Sequence, residues 1–476
     1  MLRQLNRKNI STTESRPVKV IQFGEGNFLR AFVDWIIDIL NEKTDFDGAV
    51  TIVQPLPNGM GTALNEQDGL YHVVLNGIRN GALVRETRLI QCVKEVINPF
   101  TDTAAFLSEA ENEHLRFVIS NTTEAGIAFS EQDADPGALA STFPGKLTTF
   151  LYRRFRFFNG SPESGLIFLP CELIDKNGHN LKNTILQYIQ HWQLPDAFRL
   201  WIENHNTFCN TLVDRIVPGF PADNINEIRE EIGFEDKLVV KAEPFHLWVI
   251  EAPESVSEKF PVKKTPLDVQ FVSDLTPYRT RKVRILNGAH TAMVPIAYLK
   301  GLKTVQEMVE DSYTGELIRK LVFDEIIPTL DLPPQELKTF ADDVLERFRN
   351  PFIRHELISI ALNSVSKFKV RVLPSLLTYV ERKGELPSLL VTSLASLIVF
   401  YRGEYNGMTI PLNDSPEVLA FFTGVWAKVD PVATVHDILA NIAFWDQDLT
   451  LVDGLEKAVA NEVKRLLPAN QNVTSR

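Results

Sequence analysis

Residues 281–290 read RKVRILNGAH and set Lys282, Asn287 and His290 among apolar neighbours. A lysine in a partly dry cleft has a lowered pKa and can exchange protons near neutrality. An asparagine can donate to a developing oxyanion, and a histidine can hold a hydroxyl or share the proton traffic. Pro277, just upstream, favours a helix start. At 100° per residue, Asn287 then lies about 140° and His290 about 80° around the axis from Lys282, so the three share one side. Ile285, Leu286, Ala289 and Met293 take the other side, as in a helix between a core and a cleft. The same residue types also suit a solvated lysine, a capping asparagine and a core histidine.

Two rival chemistries use neighbouring residues. Tyr278 precedes Lys282 by four, the spacing of the tyrosine and lysine pair of short-chain dehydrogenases, but Tyr379 and Lys383 repeat it. The spacing is therefore cheap. The nine histidines show no close metal-ligand pairing with the cysteines, and no metal is expected.

The elements that must position such a set begin with VKVIQFGEGNFLRAFVDWIIDILNE. Val18 to Phe23 is a short run rich in β-branched residues, which suits a buried parallel strand. Gly24 and Gly26 break it. Phe28, Phe32, Trp35, Ile36, Ile39 and Leu40 then recur at helical spacing, and AVTIVQP supplies a second strand. Strand, glycine turn, helix and strand make a βαβ unit, in which glycines let the backbone approach a pyrophosphate at a helix N-terminus. The fingerprint is incomplete: Leu29 stands where a third glycine belongs, and Gln54 where a carboxylate would hold a ribose. No arginine follows in QPLPNGMGT to accept a 2′-phosphate, so NAD is expected over NADP.

Further strands are expected at LRFVISNTTEAGI, GLIFLPCELI, DKLVVKAEPFHLWVIE and LDVQFVSD, with helical stretches between them. After about Ser273 helical periodicity dominates. The expected fold is α/β: an N-terminal Rossmann-like dinucleotide-binding domain over residues 1–274, followed by a mainly α-helical domain over 275–476 that carries substrate and catalysis. A formal net charge of −12 on 476 residues, with no basic cluster, argues against nucleic acid. Cys92, Cys171 and Cys209 form no C-x-x-C, and the first twenty residues are too polar for a signal peptide, so a reducing cytoplasm is expected. LPSLLVTSLASLIVFYRG is interrupted by proline and serines and is shorter than a membrane span, which predicts a buried helix.

The order K-x4-N-x2-H behind a two-domain α/β and helical pattern resembles the polyol-specific long-chain dehydrogenases, the mannitol dehydrogenase family. IQFGEGNFLRAF, SNTTEAGI, FPGKLTTFLYRRF, TFCNTLVDRI and RFRNPFIRHEL carry the resemblance over nearly the whole chain. Within the family the chain is most similar to members acting on sugar acids; members reducing fructuronate or oxidising mannitol share the lysine motif. The resemblance implies hydride transfer between NAD and a sugar acid, with Lys282 as general acid or base and Asn287 and His290 polarising the reacting oxygen. It implies cofactor contacts along Val20, Ile21, Gln22, Phe23, Gly24, Glu25, Gly26, Asn27, Phe28, Leu29 and Arg30, at Gln54, and at Asn121, Thr122 and Glu124. Mannitol members carry a second polarising asparagine where Leu173 stands and an acid where Arg279 stands. Arg279, Lys367, Lys369 and Arg371 are cations available to a substrate carboxylate, Lys367 and Arg371 being one helical turn apart. A non-catalytic NAD sensor is the reading from another class, and it has no need of a lysine, asparagine and histidine set.

Overall fold

The computed structural model describes residues 2–10, 15–123, 125–428 and 430–467. The chain divides into two compact units, Met1–Arg79 with Leu83–Leu275, and Asn80–Ala82 with Thr276–Arg476.

In the first unit, Val18–Phe23, Ala49–Val53, Val93–Ile97, Phe117–Ser120, Ile167–Pro170 and Thr207–Phe208 form one parallel sheet. Numbered in chain order within that sheet, the strands lie 3-2-1-4-5-6, the order of a Rossmann fold. The continuous apolar runs follow from burial on both faces. Val20, Ile52, Phe117 and Ile119 enter one core with Val33, Ile36 and Leu40 of the helix Val33–Lys43. Ile21, Phe23, Val53 and Val118 enter the other, with Leu147 and Phe150 of the helix Phe143–Phe157 and Ile185 of Asn177–His191.

One strand pair was missed in the sequence. Tyr71–Arg79 and Ala82–Ile90 lie side by side in a sheet with Val240–Ala242. Asn80 and Gly81 between them have φ of 54° and 75°. Two left-handed residues suit a two-residue hairpin turn, and Asn-Gly is its strongest sequence signal. A third sheet joins Asn210–Asp214, Leu247–Glu251 and Val269–Val272.

The second unit is helical; among the described residues its strands are the pairs Glu404–Tyr405 and Met408–Thr409. The apolar stretch near residue 390 is a buried helix, Ser388–Phe400, whose Ser393 Oγ donates to the Ala292 carbonyl at 2.7 Å. No helix among the described residues is long and apolar enough to cross a membrane.

A buried polar group ties the first strand to its helix. Asp34 is fully buried, and its Oδ2 accepts from Tyr71 Oη at 2.8 Å and from Gln22 Nε2 at 3.5 Å. Burial pushes its carboxyl up to about 7 from 3.8. The folded chain thus holds a proton there that the unfolded chain has already released, so the contribution to stability is complete below about pH 4 and lost as pH rises through 7. Asp34→Asn keeps an acceptor for Tyr71 and has no charge to bury. Its melting temperature relative to the parent should therefore rise by several degrees from pH 5 to pH 8 in calorimetry; a gap that does not change with pH would contradict this account.

Candidate active site

At the carboxyl end of the first strand the chain turns at Gly24, whose φ of +124° is closed to most side chains. A Cβ there would also stand 3.1 Å from the Asn121 carbonyl. Gly24 N–H donates to the Val53 carbonyl and Asn121 N–H to the Phe23 carbonyl, each at 3.1 Å. The turn thus sits where the strand order reverses, between strands 1 and 4, the crevice in which open α/β sheets bind ligands.

The surface offered at this turn is narrower than the eleven residues expected. Gly26 is exposed with open space around it, and Asn27 and Phe28 are half-buried. Val20, Ile21, Phe23 and Leu29 lie in the core, so they shape the site only through the backbone. Arg30 lies beneath the turn. It is buried, its Nε donates to the Glu25 carbonyl at 3.1 Å, Nη1 to the Leu238 carbonyl at 2.8 Å and Nη2 to Asn27 Oδ1 at 2.6 Å. Its guanidinium braces the turn from beneath. Glu25 is buried too, and desolvation raises its carboxyl.

Gln54, at the end of the second strand, is bonded within its own loop. Its Nε2 donates to the Leu56 and Pro57 carbonyls at 2.7 and 3.0 Å, and its Oε1 accepts from Gly61 N–H at 3.1 Å. The amide that stands in place of a ribose-binding acid therefore closes its own loop. Across the crevice, Glu172 holds the loop after Ser120: its carboxylate accepts from Ser120 Oγ, Thr122 N–H and Thr122 Oγ1, each at 3.0 Å. Burial raises this carboxyl, and the donors partly offset the shift. Asn121 and Thr122 remain half-buried; Glu124 lies outside the described residues. Leu173, next to Glu172, is 59% exposed.

The lysine motif lies in the second unit and departs from a plain α-helix. Thr276–Arg281 is α-helical, Lys282–Asn287 winds as a π-helix, and Gly288–Leu299 returns to α. Backbone bonds in a π-helix span five residues, the separation of Lys282 and Asn287. These two side chains therefore stand one wide turn apart, nearer a common line than the expected 140° or so. Lys282, Asn287 and His290 are all half-buried, while Ile285, Ala289 and Met293 are wholly buried on the opposite side. Arg281 anchors the entry: it pairs with Glu336 at 2.5 Å and lies over the rings of Tyr278 and Phe340 at 5.1 and 4.4 Å. Tyr278, half of the rival pair, is thus a stacking partner of Arg281.

Around His290 the helical unit gathers aromatic rings and cations. Phe348 stacks on the imidazole with centroids 4.0 Å apart, and His355 meets it at 80° and 5.3 Å. Gly288 lets the backbone of the helix Ser364–Arg371 approach so closely that a Cβ would stand 3.0 Å from the Arg371 carbonyl. Arg371 Nη1 then reaches Thr291 Oγ1 at 3.4 Å. Burial lowers the pKa of Arg371, and burial followed by the Arg371 charge lowers that of Lys367, whose Nζ donates to the Ile360 carbonyl at 2.9 Å. These two cations stand together. Lys369 instead pairs with Asp446 at 3.1 Å, and Arg279 sits half-buried one turn before Lys282.

Comparison with known proteins fits this arrangement. Residues 18–264 match the mannitol dehydrogenase Rossmann domain, and residues 274–467 the mannitol dehydrogenase C-terminal domain. The chain belongs to the mannitol dehydrogenase family. Among curated relatives, altronate oxidoreductases of Bacteroides thetaiotaomicron and Bacillus subtilis are 49% and 48% identical, over 96% of this chain in both cases and 96% and 95% of theirs. That of Yersinia enterocolitica is 45% identical over 98% of both chains. A substrate-free D-sorbitol dehydrogenase shares the fold at a TM-score of 0.79 and 23% identity, covering 98% of this chain and 100% of its own. Mannitol 2-dehydrogenase of Pseudomonas fluorescens, in a ternary complex with NAD and D-mannitol, does so at 0.68 and 22%, covering 97% and 96%.

Within this family member, Glu172 and His355 are site residues that the sequence does not mark, although they lie in GLIFLPCELI and RFRNPFIRHEL. Neither has a spacing partner in sequence that would mark it. The glycine turn yields a prediction. Gly24→Ala forces a side chain into a left-handed backbone against the Asn121 carbonyl, a strain of order 1–3 kcal/mol. NADH affinity should fall about tenfold or more in a fluorescence titration while circular dichroism stays unchanged; parental affinity would show that the turn takes no part in binding.

Proposed function

We propose that this chain is an NAD-dependent oxidoreductase that interconverts tagaturonate and altronate, with Lys282 as the proton-transfer residue. The observation that carries the reading is the set Lys282, Asn287 and His290 at the π-to-α junction, with Arg371 packed on the same helix and Lys367 beside Arg371. The names of relatives at 45–49% identity favour the same chemistry. Residues 1–274 serve as the nucleotide domain and 275–476 as the substrate and catalytic domain. The open turn at Gly24 and Gly26 suits a pyrophosphate, and the lack of a cation in QPLPNGMGT favours NAD over NADP. The three cysteines are free and buried, in keeping with a reducing cytoplasm.

Bound NADH supplies the hydride. Lys282 gives a proton to the carbonyl oxygen as it gains charge, and takes it back in the oxidative direction. Asn287 and His290 donate to that oxygen and hold its carbon in line. Lys367 and Arg371, with Arg279 as a further candidate, meet the carboxylate at the far end. No basic stripe or metal is required. Fructuronate reduction and mannitol oxidation would use the same lysine, so the substrate is chosen by the cations. A non-catalytic sensor would leave all three polar residues without a task.

Two measurements test this reading. Lys282→Met keeps the length and removes the ammonium, so turnover should fall about 10²–10⁴-fold while NADH still binds; near-normal turnover would sink the assignment. For the substrate, a charge-assisted contact is worth roughly 1.5–3 kcal/mol, and tagaturonate should exceed fructose in kcat/KM by about 10 to 150-fold. Arg371→Leu or Lys367→Met should erase most of that gap and leave neutral ketoses little changed. Equal kcat/KM on fructose and tagaturonate would place the chain with the neutral polyol dehydrogenases.

A further inference from the structure

His355 presents an imidazole that the protein itself does not use. It lies in RFRNPFIRHEL, between the helix Pro334–Phe348 and the short helix Leu357–Ile360. Its backbone is held firmly: the His355 carbonyl accepts from Val305 N–H at 2.9 Å, Glu356 bridges to Thr304, and Leu357 N–H donates to the Lys303 carbonyl at 2.8 Å. Its ring is part-buried and perpendicular to that of His290 at 5.3 Å, so both imidazoles border the same small volume. Among the described residues neither ring nitrogen of His355 has a hydrogen-bond partner, whereas buried His72 bonds Asp236 at 2.9 Å and His246 accepts from Asp268 N–H at 3.0 Å.

Desolvation lowers the His355 pKa, and no neighbouring charge adds to or opposes that shift. A neutral imidazole offers one donor and one acceptor. That pair matches a hydroxyl, which also donates and accepts, better than it matches a carboxylate, which only accepts. Among the described residues the half-desolvated ring keeps both nitrogens free of protein partners, and a polyhydroxylated substrate would bond them.

We infer that His355 is a second substrate-binding imidazole, which holds a chain hydroxyl of the sugar beside the oxygen held by His290. The inference rests on the reading that His290 faces the substrate, and it adds a specificity-determining residue to that site. It does not depend on which ketose or ketouronate is preferred.

The test is His355→Phe, which keeps a ring against His290 and removes both nitrogens. Kinetics are measured on whichever compound the parent reduces best and on a series of analogues each lacking one hydroxyl. kcat/KM should fall about tenfold or more, chiefly through KM, with the NADH dissociation constant unchanged. For one analogue, the one lacking the bound hydroxyl, parent and variant should become equal. A variant within twofold of the parent on the full substrate, or an equal loss on every analogue, would overturn the inference, because packing alone predicts those outcomes. Should the Phe variant fail to fold, His355→Asn is read against the same series by the same criterion. His290→Ala separates the two readings: full activity there means that His290 does not bind substrate, whereas loss there with none at His355 removes only the second imidazole.

Discussion

The close crossing of two helices at Gly288 sets the chemistry of the second unit. A Cβ at residue 288 would stand 3.0 Å from the carbonyl of Arg371, so glycine gives the tightest approach to the helix that carries Asn287 and His290. Once the backbones are that close, Arg371 must run along the helix to Thr291, and Lys367 one turn earlier comes under its charge. Two partly dehydrated cations thereby stand together, Arg371 against the helix of the lysine motif and Lys367 between the charges of Arg371 and Asp414. A side chain at 288 would require the facing backbone to give by a few tenths of an ångström.

The π-helix acts on the same segment from within. By widening one turn it changes the angle between Lys282 and Asn287 without moving the apolar side, where Ile285, Ala289 and Met293 remain buried. An i to i+5 winding replaces the i to i+4 bonds of an α-helix, and it is rare and tends to coincide with functional positions. Arg281, clamped between Tyr278, Phe340 and Glu336, fixes the phase at which the wide turn begins.

The first unit shows the complementary strategy, in which buried polar groups hold a turn that must itself remain open. Arg30 directs its donors to carbonyls and to Asn27, and Asp34 takes bonds from Tyr71 and Gln22. Each is costly to bury alone, and each is bonded by the others' elements. Above them Gly26 stays exposed, with Asn27 and Phe28 half-buried beside it.

The sequence by itself determined the periodic features. Val18–Phe23 reads as a strand from its short β-branched apolar run, and Ser388–Phe400 as a buried helix from an apolar run too short to span a membrane, both being local properties of the chain. The glycines at 24 and 26 mark a turn, and the lysine, asparagine and histidine spacing marks a helix face, for the same local reason. The Asn80-Gly81 hairpin was legible in principle and was overlooked. Only the tertiary structure decided which polar groups face inward. Nothing in FLRAF or IVQPL distinguishes an arginine or glutamine that meets a ligand from one that binds distant carbonyls, as Arg30 does at Leu238. The π-helix, the pairing of Lys367 with Arg371 in place of Lys369, and the meeting of His355 with His290 belong to the same class. They arise where segments tens of residues apart exclude water from each other, and no local pattern encodes that.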